Sequence, residues 1–308
     1  MNRPDREAGS YEISFLTPAG EPSLVPPGSP QWRVFKNPVA FAIGGVAAVL
    51  LEFADARIRS GVWDHSVYKV DPVGRSRRTG MAAMLGVFGP AGAARRVIGG
   101  VNRMHAKVAG VTPGGEAYRA LDPELLDWVS ATAVFGFLEA YHRFVTPLQS
   151  EVRAQYYRDG EPIARLYGVE HPLSSDADFF AMLEHLLPRF EPHAINREFL
   201  EIITSGRSAP KVPRFLHRAL ARAAVSLLPP AVRARLELGA EFDLTRRDRI
   251  ALSLAGKIAD RVKVRGSPAW QAAVRMGLPG DFAWWRPARQ QAYLAGRAGP
   301  ASALPTAT

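Results

Sequence analysis

The chain has 308 residues, 47% of them hydrophobic and 22% charged, and it has no cysteine. That composition excludes a disordered or fibrous chain, and the missing thiols exclude disulfides, thiolate-bound zinc, cysteine-held iron–sulfur clusters and thiolate-ligated haem. The net charge is +10, but the Arg and Lys residues are scattered without a run of five, which argues against a nucleic-acid tract.

Residues 1–34 are rich in Pro, Gly and Ser and predict an extended, partly disordered arm. The N-terminus mixes acidic and basic residues with no apolar run behind them, so no signal peptide is predicted and a cytoplasmic location is expected. Pro38 to Leu51 is uncharged and ends at Glu52 and Asp55. It is shorter than the ~20 residues that span a bilayer and reads as a buried core helix, with a shallow peripheral membrane contact as the other reading. A helical domain is expected over 35–290 and a flexible tail over 291–308.

Within that domain several helix starts are written plainly. Asp71-Pro72 and Asp122-Pro123 each place a capping residue before a proline at the first helical position, and Gly89-Pro90 closes one helix and opens another. Helices are predicted near 38–56, 72–88, 91–109, 123–144, 147–157, 162–167, 176–190, 192–203, 213–226, 230–238 and 246–262. There is no alternating strand run and no fixed repeat. The fold class is all-α, as a single large helical domain.

The chemistry concentrates between residues 72 and 145. Arg75, Arg78, Thr79, Ala82, Ala83 and Gly86 recur at spacings of three and four, so they share one helix face. A flat ligand could lie on the small residues while the arginines meet an oxyanion; a plain Arg-rich helix end with an Ala-rich packing stripe has the same pattern. On the next helix His105 continues the apolar stripe of Ala94, Val97, Ile98 and Val101. An imidazole there needs a hydrogen-bond partner or a metal. With no second His at i+3 or i+4, a two-His zinc motif is excluded, whereas a lone axial ligand of haem is not. His142 follows Tyr141 near the end of the 123–144 helix, where a cation suits the dipole.

Four ordered blocks carry a resemblance. They are Leu50-Leu51-Glu52-Phe53-Ala54-Asp55-Ala56-Arg57 with Gly61-Val62-Trp63-Asp64-His65-Ser66; Asp71-Pro72-Val73-Gly74-Arg75-Ser76-Arg77-Arg78-Thr79-Gly80; Val101-Asn102-Arg103-Met104-His105-Ala106-Lys107-Val108-Ala109-Gly110; and Tyr118-Arg119-Ala120-Leu121-Asp122-Pro123-Glu124-Leu125-Leu126-Asp127-Trp128-Val129. Over roughly residues 35–290 the chain resembles the DUF2236 family, the MpaB/rubber-oxygenase catalytic domain that includes latex clearing protein. The resemblance implies a globin-like helical core with haem b, His105 as the iron ligand, and Arg75 and Thr79 at the haem pocket. It also implies a carboxylate upstream of Arg75, for which Glu52 and Asp55 are the candidates. Where latex clearing protein has a distal Lys this chain has Arg78. A guanidinium stays protonated and is a poor iron ligand, so an open or water-bound distal side is expected.

The reading that follows is a haem-dependent oxygenase with Arg75, Thr79 and Arg78 as catalytic candidates, acting with O2 on a hydrophobic substrate such as an unsaturated isoprenoid or lipid-like molecule. No nucleic-acid partner is expected. The alternatives are a haem-binding sensor or carrier without turnover, and a basic helical protein that binds nucleic acid or an anionic surface.

Overall fold

A computed structural model describes residues 14–65, 71–207 and 214–297 of the chain. Among them are fourteen α-helices and one small antiparallel hairpin, so the expected all-α class holds. In chain order the elements are α1 (Pro30–Lys36), α2 (Pro38–Glu52), α3 (Ala56–His65), α4 (Pro72–Phe88), α5 (Ala91–His105), β1 (Ala109–Val111), β2 (Ala117–Arg119), α6 (Pro123–Phe144), α7 (Ser150–Tyr167), α8 (Asp176–Leu186), α9 (Ala194–Thr204), α10 (Arg214–Leu227), α11 (Pro230–Arg235), α12 (Arg246–Arg261), α13 (Pro268–Arg275) and α14 (Pro287–Arg297).

The centre of the molecule is the pair α2 and α6. Asn37 caps α2, its side-chain oxygen accepting from the backbone N–H groups of Val39 and Ala40. Nearly every turn of α2 is apolar, and Ala40, Ile43, Ala47, Leu50 and Leu51 are fully buried. A helix that is apolar all round belongs in a core, and this one is enclosed by α6, α10 and α12. The expected core helix is therefore found, with most of Pro38–Leu51 buried against protein. No single described helix is long and apolar enough to cross a membrane. Only α1 and α2 taken together pass that test, and they bend by 92° where they join.

The α2–α6 contact is close because both helices present glycine at the crossing. A methyl built on Gly44 would sit 2.7 Å from the Gly136 carbonyl oxygen, and one on Gly136 would sit 2.6 Å from that of Gly44. Beyond the crossing, the Trp128 indole N–H donates to the Leu51 carbonyl at 3.2 Å. As α2 runs from 44 to 51, the facing residues on α6 run from 136 down to 128, so the two helices are antiparallel.

Several boundaries differ from the sequence expectation, each for a local reason. The helix expected to reach residue 56 stops at Glu52. Asp55 then starts α3, accepting from the Arg57 backbone N–H at 2.9 Å. The helix expected to reach 109 ends at His105. The chain continues into the β1–β2 hairpin, whose three-residue strands are too short to show alternation. The two helices expected at 147–157 and 162–167 are one, α7, with Pro162 inside it. Pro162 and Arg158 are both exposed, so the carbonyl left without its N–H is open to water.

The chain ends are more tightly held than composition implies. Residues 14–29, expected to lie in the extended arm, pack on the core, with Phe15 and Val25 buried. At the other end α14 runs through the expected start of the tail at 291. Residues 1–13 of the expected arm and 298–308 of the expected tail lie outside the described residues.

Candidate functional site

Four elements bring chemistry to one place: the end of α2, the first turns of α4, the end of α5 and the middle of α6. Asp71 caps α4 by accepting from the Gly74 backbone N–H at 2.7 Å. One turn on, Arg75 is half-buried, and its charge acts on both Glu52 and His105.

Glu52 is the last residue of an otherwise uncharged helix. It keeps some accessible surface, yet protein surrounds its carboxyl group. Burial pushes its pKa up to about 7, against the opposing pull of the Arg75 cation and of a long contact from the Thr132 hydroxyl at 3.5 Å. A carboxyl group balanced near neutrality can hold or release a proton at working pH.

Asp55, the other carboxylate candidate, has a different role. It is 2% exposed, and its two oxygens take the Arg57 side chain at 3.0 and 2.7 Å while one also caps α3. Its oxygens are used up in holding α3, which leaves Glu52 as the carboxylate with chemistry to spare.

His105 closes the apolar stripe of α5, on which Ala91, Ala94 and Ile98 are buried. Its imidazole is half-buried, and its Nδ1 atom is fully enclosed without a hydrogen-bond partner. Burial, together with the nearby Arg75 cation, lowers its pKa and keeps the ring neutral, so a lone pair is available. The Asn102 side chain donates to the Leu166 carbonyl at 2.9 Å, pinning this end of α5 to α7.

The other histidines are committed elsewhere. The Nδ1 atoms of His142 and His193 accept backbone N–H groups at 3.0 and 3.2 Å. His171 pairs with Asp127 at 2.8 Å, and His185 lies 3.4 Å from Glu124. His65 is exposed at the end of α3, edge-on to Tyr118, and His217 is buried beside Gly206. Among the described residues His105 is the histidine with an orphaned, buried ring nitrogen.

The shared α4 face is divided. Arg75 turns to Glu52 and His105, while Thr79 is exposed one turn further on. Arg78 is 58% exposed and lies 3.6 Å from Asp71, away from that group. At the far end the small residues are used for packing. Ala83 packs against the core, and a methyl on Gly86 would meet Ile163 at 3.3 Å. The far end of the face therefore has no room for a flat ligand.

Sequence reasoning missed the partnership of Glu52 with Thr132. A single carboxylate ending an apolar helix is the signal that could have drawn attention to it.

The model for the catalytic domain described as ER-bound oxygenase mpaB/B'/Rubber oxygenase matches residues 32–261. The chain belongs to this family. No curated protein and no solved structure gives a significant match. The matched span of this oxygenase-family domain contains Glu52, Arg75, Thr79, His105 and Thr132, and it ends with α12.

The residues present fit a haem. An apolar-seated imidazole held neutral, with a buried nitrogen lacking a partner, is the donor such a group requires, and Arg75 could meet a propionate. Among the described residues no group of three or more His, Asp and Glu could hold a bare metal ion. Haem needs only one such side chain from the protein.

Proposed function

We propose that this chain is a haem-b-dependent oxygenase acting with O2 on a hydrophobic substrate such as an unsaturated isoprenoid or lipid, with His105 as the iron ligand. The observation that carries this reading is the orphaned Nδ1 of His105 beside Arg75. Bound haem would supply a redox-active iron at which O2 is activated.

The chain's own residues divide the remaining work. His105 offers a neutral nitrogen from the stiff end of α5. Arg75 pairs with a propionate or a substrate oxyanion and moderates Glu52. Glu52, with a pKa near 7, takes up or returns a proton at its carboxylate oxygen during turnover. Thr79 contributes a hydroxyl at the open side of the same face. Arg78 is drawn outward to Asp71 and stands apart from Glu52 and His105.

The test is a pyridine-haemochrome assay and a Soret spectrum on the purified protein, followed by oxygen uptake with a polyisoprenoid and with an unsaturated lipid. Wild type should bind haem stoichiometrically, and His105→Ala should lose it or hold it weakly with a shifted band. An unchanged spectrum in His105→Ala would remove His105 from the role. Haem binding without oxygen uptake on any unsaturated substrate would favour a sensor or carrier.

A further inference from the structure

The face of α12 turned away from the core is apolar, exposed and edged with positive charge. The helix cannot roll to hide it. Its inner side is fixed by Asp260, which pairs with Lys36 at 2.7 Å and accepts from the Tyr141 hydroxyl at 3.3 Å. The Asn37 amide donates to the Gly256 carbonyl at 2.9 Å, and a methyl on Gly256 would sit 2.9 Å from the Phe144 carbonyl oxygen. With that side locked, Ile250, Leu254 and Ile258 stay in solvent at 58%, 58% and 52% exposure, and Val262 and Val264 continue the exposed apolar surface past the helix end. The spacing of four from 250 to 262 draws one line along the helix, ~18 Å long.

The charge around this line has one sign. Residues 246–265 hold seven Arg or Lys and two Asp. Asp260 is turned inward to Lys36, and Asp248 is taken by Arg222 at 3.1 Å. Arg246, Arg247, Arg249, Lys257 and Arg261 are exposed and have no ion pair among the described residues. An apolar line with cations beside it and at both ends resembles the pattern of a helix lying in a lipid interface. A second copy of the chain fits poorly, because a self-paired face would set five cations against the same five.

We propose that α12 lies in the plane of an anionic lipid surface, with Ile250, Leu254 and Ile258 sunk between acyl chains and its Arg and Lys residues against headgroup phosphates. The surface is formed by protein geometry alone and stands whether or not the chain carries haem. It also lies on a different helix from Pro38–Leu51, the apolar run that first suggested a membrane contact.

The experiment is flotation of the full chain with phosphatidylcholine vesicles, with and without phosphatidylglycerol. Wild type should float with the anionic vesicles at least about tenfold better than with the neutral ones, and added salt should weaken the binding. Leu254→Ser/Ile258→Ser should lose about tenfold or more of that binding. Both positions are exposed, so the melting curve should be unmoved. Lys257→Ser/Arg261→Ser should erase the preference for the anionic lipid. Absence of binding to either vesicle, or equal binding by wild type and Leu254→Ser/Ile258→Ser, would overturn the proposal. A wild-type dimer that Leu254→Ser/Ile258→Ser converts to monomer, without vesicle binding, would assign the face to a second copy instead.

Discussion

Gly44 and Gly136 meet backbone to backbone, each leaving no room for a methyl group on the other. This contact sets the spacing of α2 and α6, and two turns along α2 it delivers Glu52 opposite Thr132. The packing of the core and the position of the Glu52 carboxyl group are therefore one constraint.

Gly136→Ala should destabilise the protein by about 1–3 kcal/mol through overpacking, read as a lower urea midpoint. Because the helices must separate to admit the methyl, the elevated Glu52 pKa should fall as well. A control at Gly115, where an added Cβ meets nothing within 4 Å but φ is +86°, should show only the cost of a strained backbone.

Glu52 gives a pH signature. Its folded pKa of about 7 lies above its ordinary value of 4.5. The folded state therefore binds a proton that the unfolded state has released, and stability falls as pH rises from about 4.5 through 7. The full shift corresponds to about 3 kcal/mol. Glu52→Gln should be insensitive over that window and more stable than wild type at pH 8, as seen by chemical denaturation at pH 5 and pH 8.

Asp55 should behave in the opposite way. Breaking a buried ion pair that stands alone costs about 3–5 kcal/mol; Arg57 keeps Glu124 at 2.6 Å, so the loss here should fall below that figure. Asp55→Ala should accordingly lose stability, since Arg57 is left with one carboxylate fewer and α3 without its cap. A variant pair that unfolded alike would show that the two carboxylates had not been separated correctly.

His105 should keep its lone pair in mild acid. Its pKa is lowered by burial and by Arg75, so haem titration of the apo chain should hold its affinity as pH falls through 6.5, where an ordinary imidazole would be protonated. The linked stability effect has the reverse sign to that of Glu52: the apo fold weakens as pH drops below 6.5, because only the unfolded chain takes up that proton. His105→Phe should remove this acid-side loss.

Arg75 and Arg78 are three residues apart, yet they should respond differently. Arg75→Ala removes a cation that acts on both Glu52 and His105, so it should raise the pKa of each and lower haem retention. Arg78→Ala breaks an exposed pair with Asp71, worth at most about 1 kcal/mol, and should leave haem content unchanged.

The helices and the family were legible from capping signals and from four blocks of residues. Asp71-Pro72 and Asp122-Pro123 mark α4 and α6 because those caps act locally. The position of His105 on an apolar stripe was legible for a similar reason: a polar residue there is visible in one helix. What escaped depended on partners far away in sequence. Asp55 and Glu52 look equivalent in the chain, and only the approach of Arg57 to one and of Arg75 to the other tells them apart. The outward face of α12 was hidden in the same way. The direction in which Ile250, Leu254 and Ile258 point is settled only by Asp260 and Gly256, which occupy the inward side.

Arg275 ties together segments that lie at opposite ends of the sequence. Its guanidinium is 3% exposed and donates to the carbonyls of Phe15 and Glu21 and to the Ser23 hydroxyl, across separations of 252 to 260 residues. Both α13 and the segment it holds lie outside the family-matched span of 32–261. Closing so long a loop costs entropy before any contact repays it, so this clasp should form after the helices between its two halves have packed. It should also open as a unit, with amides near residues 20 and 276 exchanging together and ahead of those in α2.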